Sequence, residues 1–127
     1  MSLDILILPP ANGSQRVVLA GRLDTHTFED LDEQLEPLLG RGLHSLVLDL
    51  AALDYISSAG IRSIFKARKA LGLHGGKVLV VNPQAQIQKV FDVVKAVPMH
   101  EIFSSTAEAD AYLDAMQRKL LQGGGDP

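Results

Sequence analysis

The amino-acid sequence predicts an α/β fold, in which a mixed β-sheet of four to five strands packs against about four helices. Short apolar runs of strand length alternate with longer amphipathic segments, a pattern typical of a largely parallel sheet with helical connections. Near the N-terminus, two strand-like runs are joined by a short turn, which predicts an antiparallel hairpin. The 127 residues contain no internal repeat, so we expect one domain over residues 1–121 and a flexible tail over residues 122–127.

The strand candidates are short and rich in branched apolar residues. Residues 3–8 are mostly apolar, and residues 16–20 follow them after Ala-Asn-Gly-Ser, which is turn chemistry. Residues 46–50 have the length and composition of a buried strand. Residues 77–81 are apolar enough to predict a position in the centre of the sheet, and residues 102–103 are expected to add a short last strand.

Four segments repeat apolar residues at the spacing of an amphipathic helix. The first begins after Thr27, which resembles a capping box with Asp30. The second follows Ser57-Ser58 and ends in the glycine-rich stretch 72–76, and the last follows the N-capping residues 104–106. The predicted apolar faces are Phe28, Leu31, Leu35 and Leu38; Ile61, Ile64, Phe65 and Leu71; Ile87, Val90, Phe91 and Val94; and Ala109, Tyr112, Leu113, Met116 and Leu120.

Composition and charge exclude several classes of protein. The net charge of −3 argues against general nucleic-acid binding, and the absence of cysteine excludes a disulfide framework and a thiolate zinc site. No apolar run approaches the roughly 20 residues that span a bilayer, and the N-terminus lacks the features of a signal peptide. We therefore expect a cytoplasmic protein without direct membrane insertion.

No catalytic, cofactor or metal motif is present in the sequence. The four histidines lack metal-ligand spacing, and neither a dinucleotide-binding glycine pattern nor a P-loop occurs. Ser58 lies in Ser-Ser-Ala-Gly and not in a Gly-x-Ser-x-Gly nucleophile elbow. The sequence thus predicts no enzyme, no cofactor and no metal. A catalytic Ser/His/Asp triad whose members are far apart in the sequence stays open as an alternative.

The stretch from Leu46 to Leu71 places a hydroxyl at the start of a helix. After the strand and a connector over residues 51–56, Ser58 is expected at a solvent-facing helix N-terminus, where unpaired N–H groups and the helix dipole favour negative charge. Arg62 and Lys66 follow it at intervals of four residues on the same stripe, so a phosphate on Ser58 could pair with Arg62. Serine is also a favoured N-cap, and a purely structural role for the pair stays open.

Three blocks of the sequence resemble a known family. The first is Gly21 to Thr27, the second Leu46 to Ile61, and the third Gly75 to Pro83. In this order and spacing, across about residues 3–115, the chain resembles the anti-sigma factor antagonists, bacterial single-domain proteins of the STAS class.

This resemblance implies partner switching. In the family, the unmodified antagonist binds an anti-sigma factor serine kinase and so frees the sigma factor. The kinase uses ATP to phosphorylate the antagonist, which dissociates, and a serine phosphatase of the metal-dependent type resets it. The phosphorylated serine falls on Ser58, and Ser57 is the alternative acceptor because it stands where the family often has aspartate. The implied partner-binding residues are Asp24, Thr25, His26, Ser57, Ala59, Gly60, Ile61 and Arg62.

A second function within the same fold also stays open. Some STAS proteins with altered motifs are not phosphorylated, and act as subunits or scaffolds of lipid-transport ABC systems or signalling complexes. In either case we expect a monomer that does not bind nucleic acid.

Overall fold

The computed structural model describes residues 2–40, 42–96 and 105–121. The strands are β1 (Leu3–Ile7), β2 (Ser14–Leu23), β3 (Ser45–Ile56) and β4 (Lys77–Val81). The helices are α1 (Phe28–Leu39), α2 (Ser58–Gly72), α3 (Ala85–Ala96) and α4 (Thr106–Leu121). The predicted strand at residues 102–103 and the predicted tail at residues 122–127 lie outside the described residues.

The four described strands form one mixed sheet in the order β1-β2-β3-β4. β1 and β2 are antiparallel, whereas β3 is parallel to both β2 and β4, as predicted. The predicted central position of residues 77–81 is wrong, because β4 is the last of the described strands. Its apolar composition has another cause: Val78 and Val80 pack against the core, while Leu79 lies on the opposite face and is 41% exposed.

β3 is longer than predicted, since the segment over residues 51–56 continues the strand instead of forming a connector. Two register shifts in the pairing with β2 make this possible, one between Val18 and Ala20 and one between Gly21 and Arg22. Irregularities of this kind let one strand carry an extra residue and bend without leaving the sheet. The ladder therefore continues to Ile56, immediately before the serine pair.

The core lies between one face of the sheet and the helices. Its fully buried residues on β3 include Leu46, Leu48, Leu50 and Leu53. Burying a side chain of this size contributes on the order of 1.5–3 kcal/mol, so these four leucines anchor the strand firmly. α4 joins the core through Leu113, which is fully buried, and packs on α3 and α2. Across the described ranges, none of the helices combines the length and the apolar character that a bilayer crossing requires.

Candidate functional site: the junction of β3 and α2

The serine pair lies where β3 ends and α2 begins. Ser57 has an extended backbone and is the N-cap of α2, and its hydroxyl accepts a hydrogen bond from the Gly60 N–H at 3.4 Å. The Ser57 N–H donates to the Leu23 carbonyl at 2.9 Å, which ties the junction to the end of β2. The N-capping role that the sequence left open is therefore filled by Ser57.

Gly60 lets the first turn of α2 lie directly on the sheet. A Cβ atom at this position would lie 2.7 Å from Leu23 Cγ, 2.9 Å from the Leu23 carbonyl oxygen and 3.0 Å from Ile56 Cγ1. Two of these contacts are below the distance that real Cβ atoms show, and all three neighbours are themselves packed in the core. The absence of a side chain is thus what allows this close approach.

Ser58 is buried, contrary to the prediction that it faces solvent. Only 1% of the residue is exposed, because α4 covers the first turn of α2. The Ser58 hydroxyl donates to the Asp110 carboxylate oxygen Oδ1 at 2.5 Å, and the Ser58 N–H donates to the same oxygen at 2.9 Å. Arg62 and Lys66 are exposed, so the predicted stripe is solvent-facing only beyond the first turn. The acidic side chain therefore takes the place that an anion at this helix N-terminus would take.

A second polar residue of α4 fixes the helix two turns further on. Gln117 is fully buried, and its Oε1 accepts a hydrogen bond from the Ile56 N–H at 2.9 Å. Its Nε2 donates to the Ile56 carbonyl at 2.7 Å and to the Leu113 carbonyl at 3.1 Å. The side chain thus pairs with the backbone of the last β3 residue as a neighbouring strand would.

Sequence reasoning missed both Asp110 and Gln117. The available signal was Gln117 itself, which falls on the apolar stripe of the last helix with Leu113, Met116 and Leu120. A polar residue on such a stripe predicts a buried hydrogen-bonding partner. The identity of that partner depends on a contact 61 positions away in the chain, which helical periodicity does not contain.

The loop between β2 and α1 is held by its own side chains. The Asp24 carboxylate accepts a hydrogen bond from the His26 N–H at 2.9 Å. The Thr27 hydroxyl accepts from the Asp24 N–H at 2.9 Å and donates to the Arg22 carbonyl at 2.8 Å. These bonds occupy Thr27, which makes no side-chain cap on α1, so the predicted capping box with Asp30 is wrong.

The eight predicted partner-binding residues separate into two groups. Thr25, His26 and Arg62 are exposed and lie close to the junction, because residue 23 is bonded to Ser57. The others are buried: Asp24, Ser57, Ala59, Gly60 and Ile61. Within the described ranges, no three acidic or histidine side chains converge as metal ligands do.

Tyr55 links the junction to the charges of α4. The residue is 7% exposed, and the Arg22 guanidinium lies 4.0 Å from the centroid of its ring. Burial raises the pKa of the Tyr55 phenol above its ordinary value of 10.0, and the negative charges of Asp114 and Asp110 raise it further. The Arg22 charge opposes this change, while that of Asp24 adds to it.

We expect Asp114→Asn to lower the pKa of Tyr55, because the substitution removes the largest electrostatic contribution to its increase. The measurement is a titration of tyrosinate absorbance, with Tyr112→Phe as the background because Tyr55 and Tyr112 are the only tyrosines. Since the pKa is higher in the folded than in the unfolded chain, the stability that this proton contributes is complete below about pH 10 and is lost as the pH rises through the folded value. A phenol that titrates identically before and after urea unfolding would contradict this assignment.

Comparison with known proteins identifies the family. The model of the STAS domain matches residues 11–109, and the chain therefore belongs to the STAS domain family. A Bordetella bronchiseptica protein with the provisional name anti-sigma factor antagonist BtrV is 28% identical over 114 residues, which cover 89% of this chain and 98% of that protein. The anti-sigma-B factor antagonist of Staphylococcus epidermidis is 29% identical over 77 residues, covering 61% of this chain and 71% of that one.

A solved structure supports the same fold. The Bacillus cell fate determinant SpoIIAA in its phosphorylated form superposes with a TM-score of 0.62 at 19% identity, covering 75% of this chain and 86% of that chain. This similarity confirms the predicted STAS architecture, with its mixed sheet of four strands and four helices among the described residues.

Proposed function

We propose that the protein is an anti-sigma factor antagonist that acts by partner switching. The unphosphorylated form binds an anti-sigma factor serine kinase and releases the sigma factor. Phosphorylation of Ser58 abolishes that binding, and a serine phosphatase of the metal-dependent type restores it. The observation that carries this proposal is the hydroxyl on the first residue of α2, in a STAS domain whose relatives are named as antagonists of this kind.

The electrostatics of the junction support a switch that acts on binding. A phosphate on Ser58 adds a charge of about −1.5 to −2 beside the N–H groups and the positive end of the α2 dipole. Arg62 lies one turn further on and is exposed, so it can approach the phosphate. These groups favour the new charge, the Asp110 carboxylate bonded to the Ser58 hydroxyl opposes it, and a partner packed on the same surface has to desolvate it.

Ser58 is a better candidate for the acceptor than Ser57. The Ser57 hydroxyl caps α2, and modifying it would remove that cap. The Ser58 hydroxyl donates to the Asp110 carboxylate instead and does not cap the helix, so its modification leaves the Ser57 cap in place.

The partner is proposed to contact the exposed residues around the junction, Thr25, His26 and Arg62. The five buried members of the predicted set then shape this surface without contacting the partner directly. In this role the protein is a substrate and a binding module, not an enzyme, and it acts as a monomer in the cytoplasm, where sigma factors operate.

Incubation with the cognate anti-sigma kinase, ATP and Mg²⁺ tests this function. We expect one phosphate per chain in the wild type and in Ser57→Ala, and none in Ser58→Ala. Ser58→Asp is expected to weaken kinase binding by a factor of ten or more, about 1.4 kcal/mol or more. Equal labelling of wild type and Ser58→Ala would overturn the proposal.

If the kinase incorporates no phosphate, the burial of Ser58 favours a second candidate function. The protein would then be a STAS subunit or scaffold of a lipid-transport ABC system or a signalling complex, without phosphoryl chemistry. Co-purification with membrane transport components, unchanged by Ser58→Ala, would identify that function.

A further inference from the structure

We propose that α4 is a latch over Ser58, closed by Asp110 and Gln117, which must open before Ser58 is phosphorylated and which the phosphate then holds open. The statement about phosphate rests on the proposed function, whereas the latch itself does not. Its basis is the contact between two segments separated by about fifty residues, the first turn of α2 and the start of α4.

The closed latch blocks the chemistry that the proposed function requires. Phosphoryl transfer needs the attacking oxygen about 3–3.5 Å from the γ-phosphorus of ATP, in line with the bond that breaks. In the structure, only 1% of Ser58 is exposed, and both its hydroxyl and its N–H are bonded to Asp110. A nucleotide held by a kinase therefore cannot reach the oxygen until the first turns of α4 move away.

The hydrogen bonds that close the latch lie at two points. Asp110 binds the start of α2, and Gln117 binds Ile56 at the end of β3. Ala109 and Leu113 are buried on the same side of the helix, Met116 packs against the core, and α4 also packs on α3. Because α4 contributes no strand to the sheet, it can open locally while the four described strands stay paired.

α4 carries its own helix cap, which favours movement as an intact helix. The Ser105 hydroxyl accepts a hydrogen bond from the Glu108 N–H at 3.1 Å, as the predicted N-capping sequence requires. This bond lies within the segment itself and does not depend on α2 or β3. Opening therefore breaks the contacts of Asp110 and Gln117 while the first turn of α4 stays capped.

Phosphorylation prevents the latch from closing again. The Ser58 oxygen attacks the γ-phosphorus of ATP, the bond from that phosphorus to the bridging oxygen of ADP breaks, and the hydroxyl proton passes to a general base of the kinase. The esterified oxygen then has no proton to donate to Asp110. The phosphate dianion also competes for the Ser58 N–H and repels the carboxylate, so α4 cannot return to the same position.

A thiol at position 58 measures the latch without a kinase. The chain contains no cysteine, so Ser58→Cys introduces a single thiol whose reaction with dithiobis-nitrobenzoic acid reports its exposure. We expect it to react on the order of tenfold or more slowly than the thiol of Arg62→Cys, an exposed site on the same helix. Adding Gln117→Leu should accelerate the reaction at position 58 by tenfold or more while keeping the charge of Asp110.

Ser63→Cys is the matched control. Ser63 is also a buried serine of α2, 3% exposed, but it lies beside α1 in a groove with Leu35 and Ala67. Its thiol should react equally slowly with and without Gln117→Leu, because opening α4 does not uncover it. Equal acceleration at positions 58 and 63 would mean general unfolding and would overturn the latch. The latch would also be overturned if the thiol at position 58 reacted as fast as one at position 62.

The effect of the phosphate is tested with a reporter on α4 itself. Ala109 is a small residue, 4% exposed, and Ala109→Cys changes its volume little. Ser58→Asp should accelerate the reaction of this thiol about tenfold, whereas the uncharged Ser58→Asn should have a clearly smaller effect. Equal rates in Ser58→Asp and wild type would overturn this part of the inference. If these reactions behave as expected but the kinase never labels Ser58, the proposed function fails and the latch stands.

Discussion

Gln117→Leu is expected to lower the free energy of unfolding by about 2–4 kcal/mol, the largest stability effect predicted for α4. Leucine fills a similar volume and keeps the apolar contacts of the helix, but it removes all three hydrogen bonds of the amide. The Ile56 N–H and the Ile56 carbonyl then have no hydrogen-bond partner on α4, although both stay buried under the helix. An unsatisfied buried backbone group costs about 1–3 kcal/mol, which sets the scale of the effect.

Urea unfolding and amide hydrogen exchange measure this effect. Exchange should become faster in α4 before it changes in the sheet, because the lost bonds join α4 to β3. Gln88→Leu is the matched control: Gln88 is an exposed glutamine of α3 that bonds to Asp92, and its substitution should change stability by less than about 0.5 kcal/mol. Equal stability of the two variants would show that Gln117 does not hold α4.

Gly60→Ala is expected to lower the free energy of unfolding by about 1–3 kcal/mol, which is the second large effect. Alanine is intrinsically the better helix former by about 1 kcal/mol, so the sign of the change tests whether packing or helix propensity dominates at this position. Packing should dominate, because the added methyl group would lie 2.7 Å from Leu23 Cγ and 2.9 Å from the Leu23 carbonyl oxygen. The first turn of α2 has to move away from β2, and the serine pair moves with it.

Gly72→Ala provides the comparison within the same helix. Gly72 ends α2, and a Cβ atom there would meet no atom within 4 Å. Its substitution should leave stability unchanged or raise it by up to about 1 kcal/mol. Chemical denaturation followed by circular dichroism separates the two variants, and a Gly60→Ala protein as stable as Gly72→Ala would contradict the close contact at the junction.

Local patterns in the sequence were sufficient to predict most of the fold. The apolar spacing of residues such as Leu31 and Leu35 predicts which face of a helix is buried. The turn at Ala11-Asn12-Gly13 predicts the hairpin. Both predictions depend only on residues that are close together in the sequence. The length of β3 was not predictable in the same way. It depends on two irregularities in its pairing with β2, which a single segment does not reveal.

The candidate site was predicted in its position but not in its exposure. The serine at the start of α2 follows from the strand and helix patterns on either side of it. The burial of Ser58 is a consequence of where α4 docks, and that depends on Asp110 and Gln117 meeting Ser58 and Ile56 across the fold. An amphipathic pattern shows that α4 must pack somewhere, but it does not specify the surface.

The rate of phosphate incorporation at Ser58, compared between the wild type and Gln117→Leu, tests the central claim most directly. The measurement uses the cognate anti-sigma kinase with ATP and Mg²⁺, and peptide mass spectrometry to locate the phosphate. We predict labelling of Ser58 in both proteins and a rate at least about tenfold higher in Gln117→Leu, since α4 is more often open. A phosphate on any other residue, or a rate that is equal or lower in Gln117→Leu, would contradict a switch at Ser58 controlled by α4.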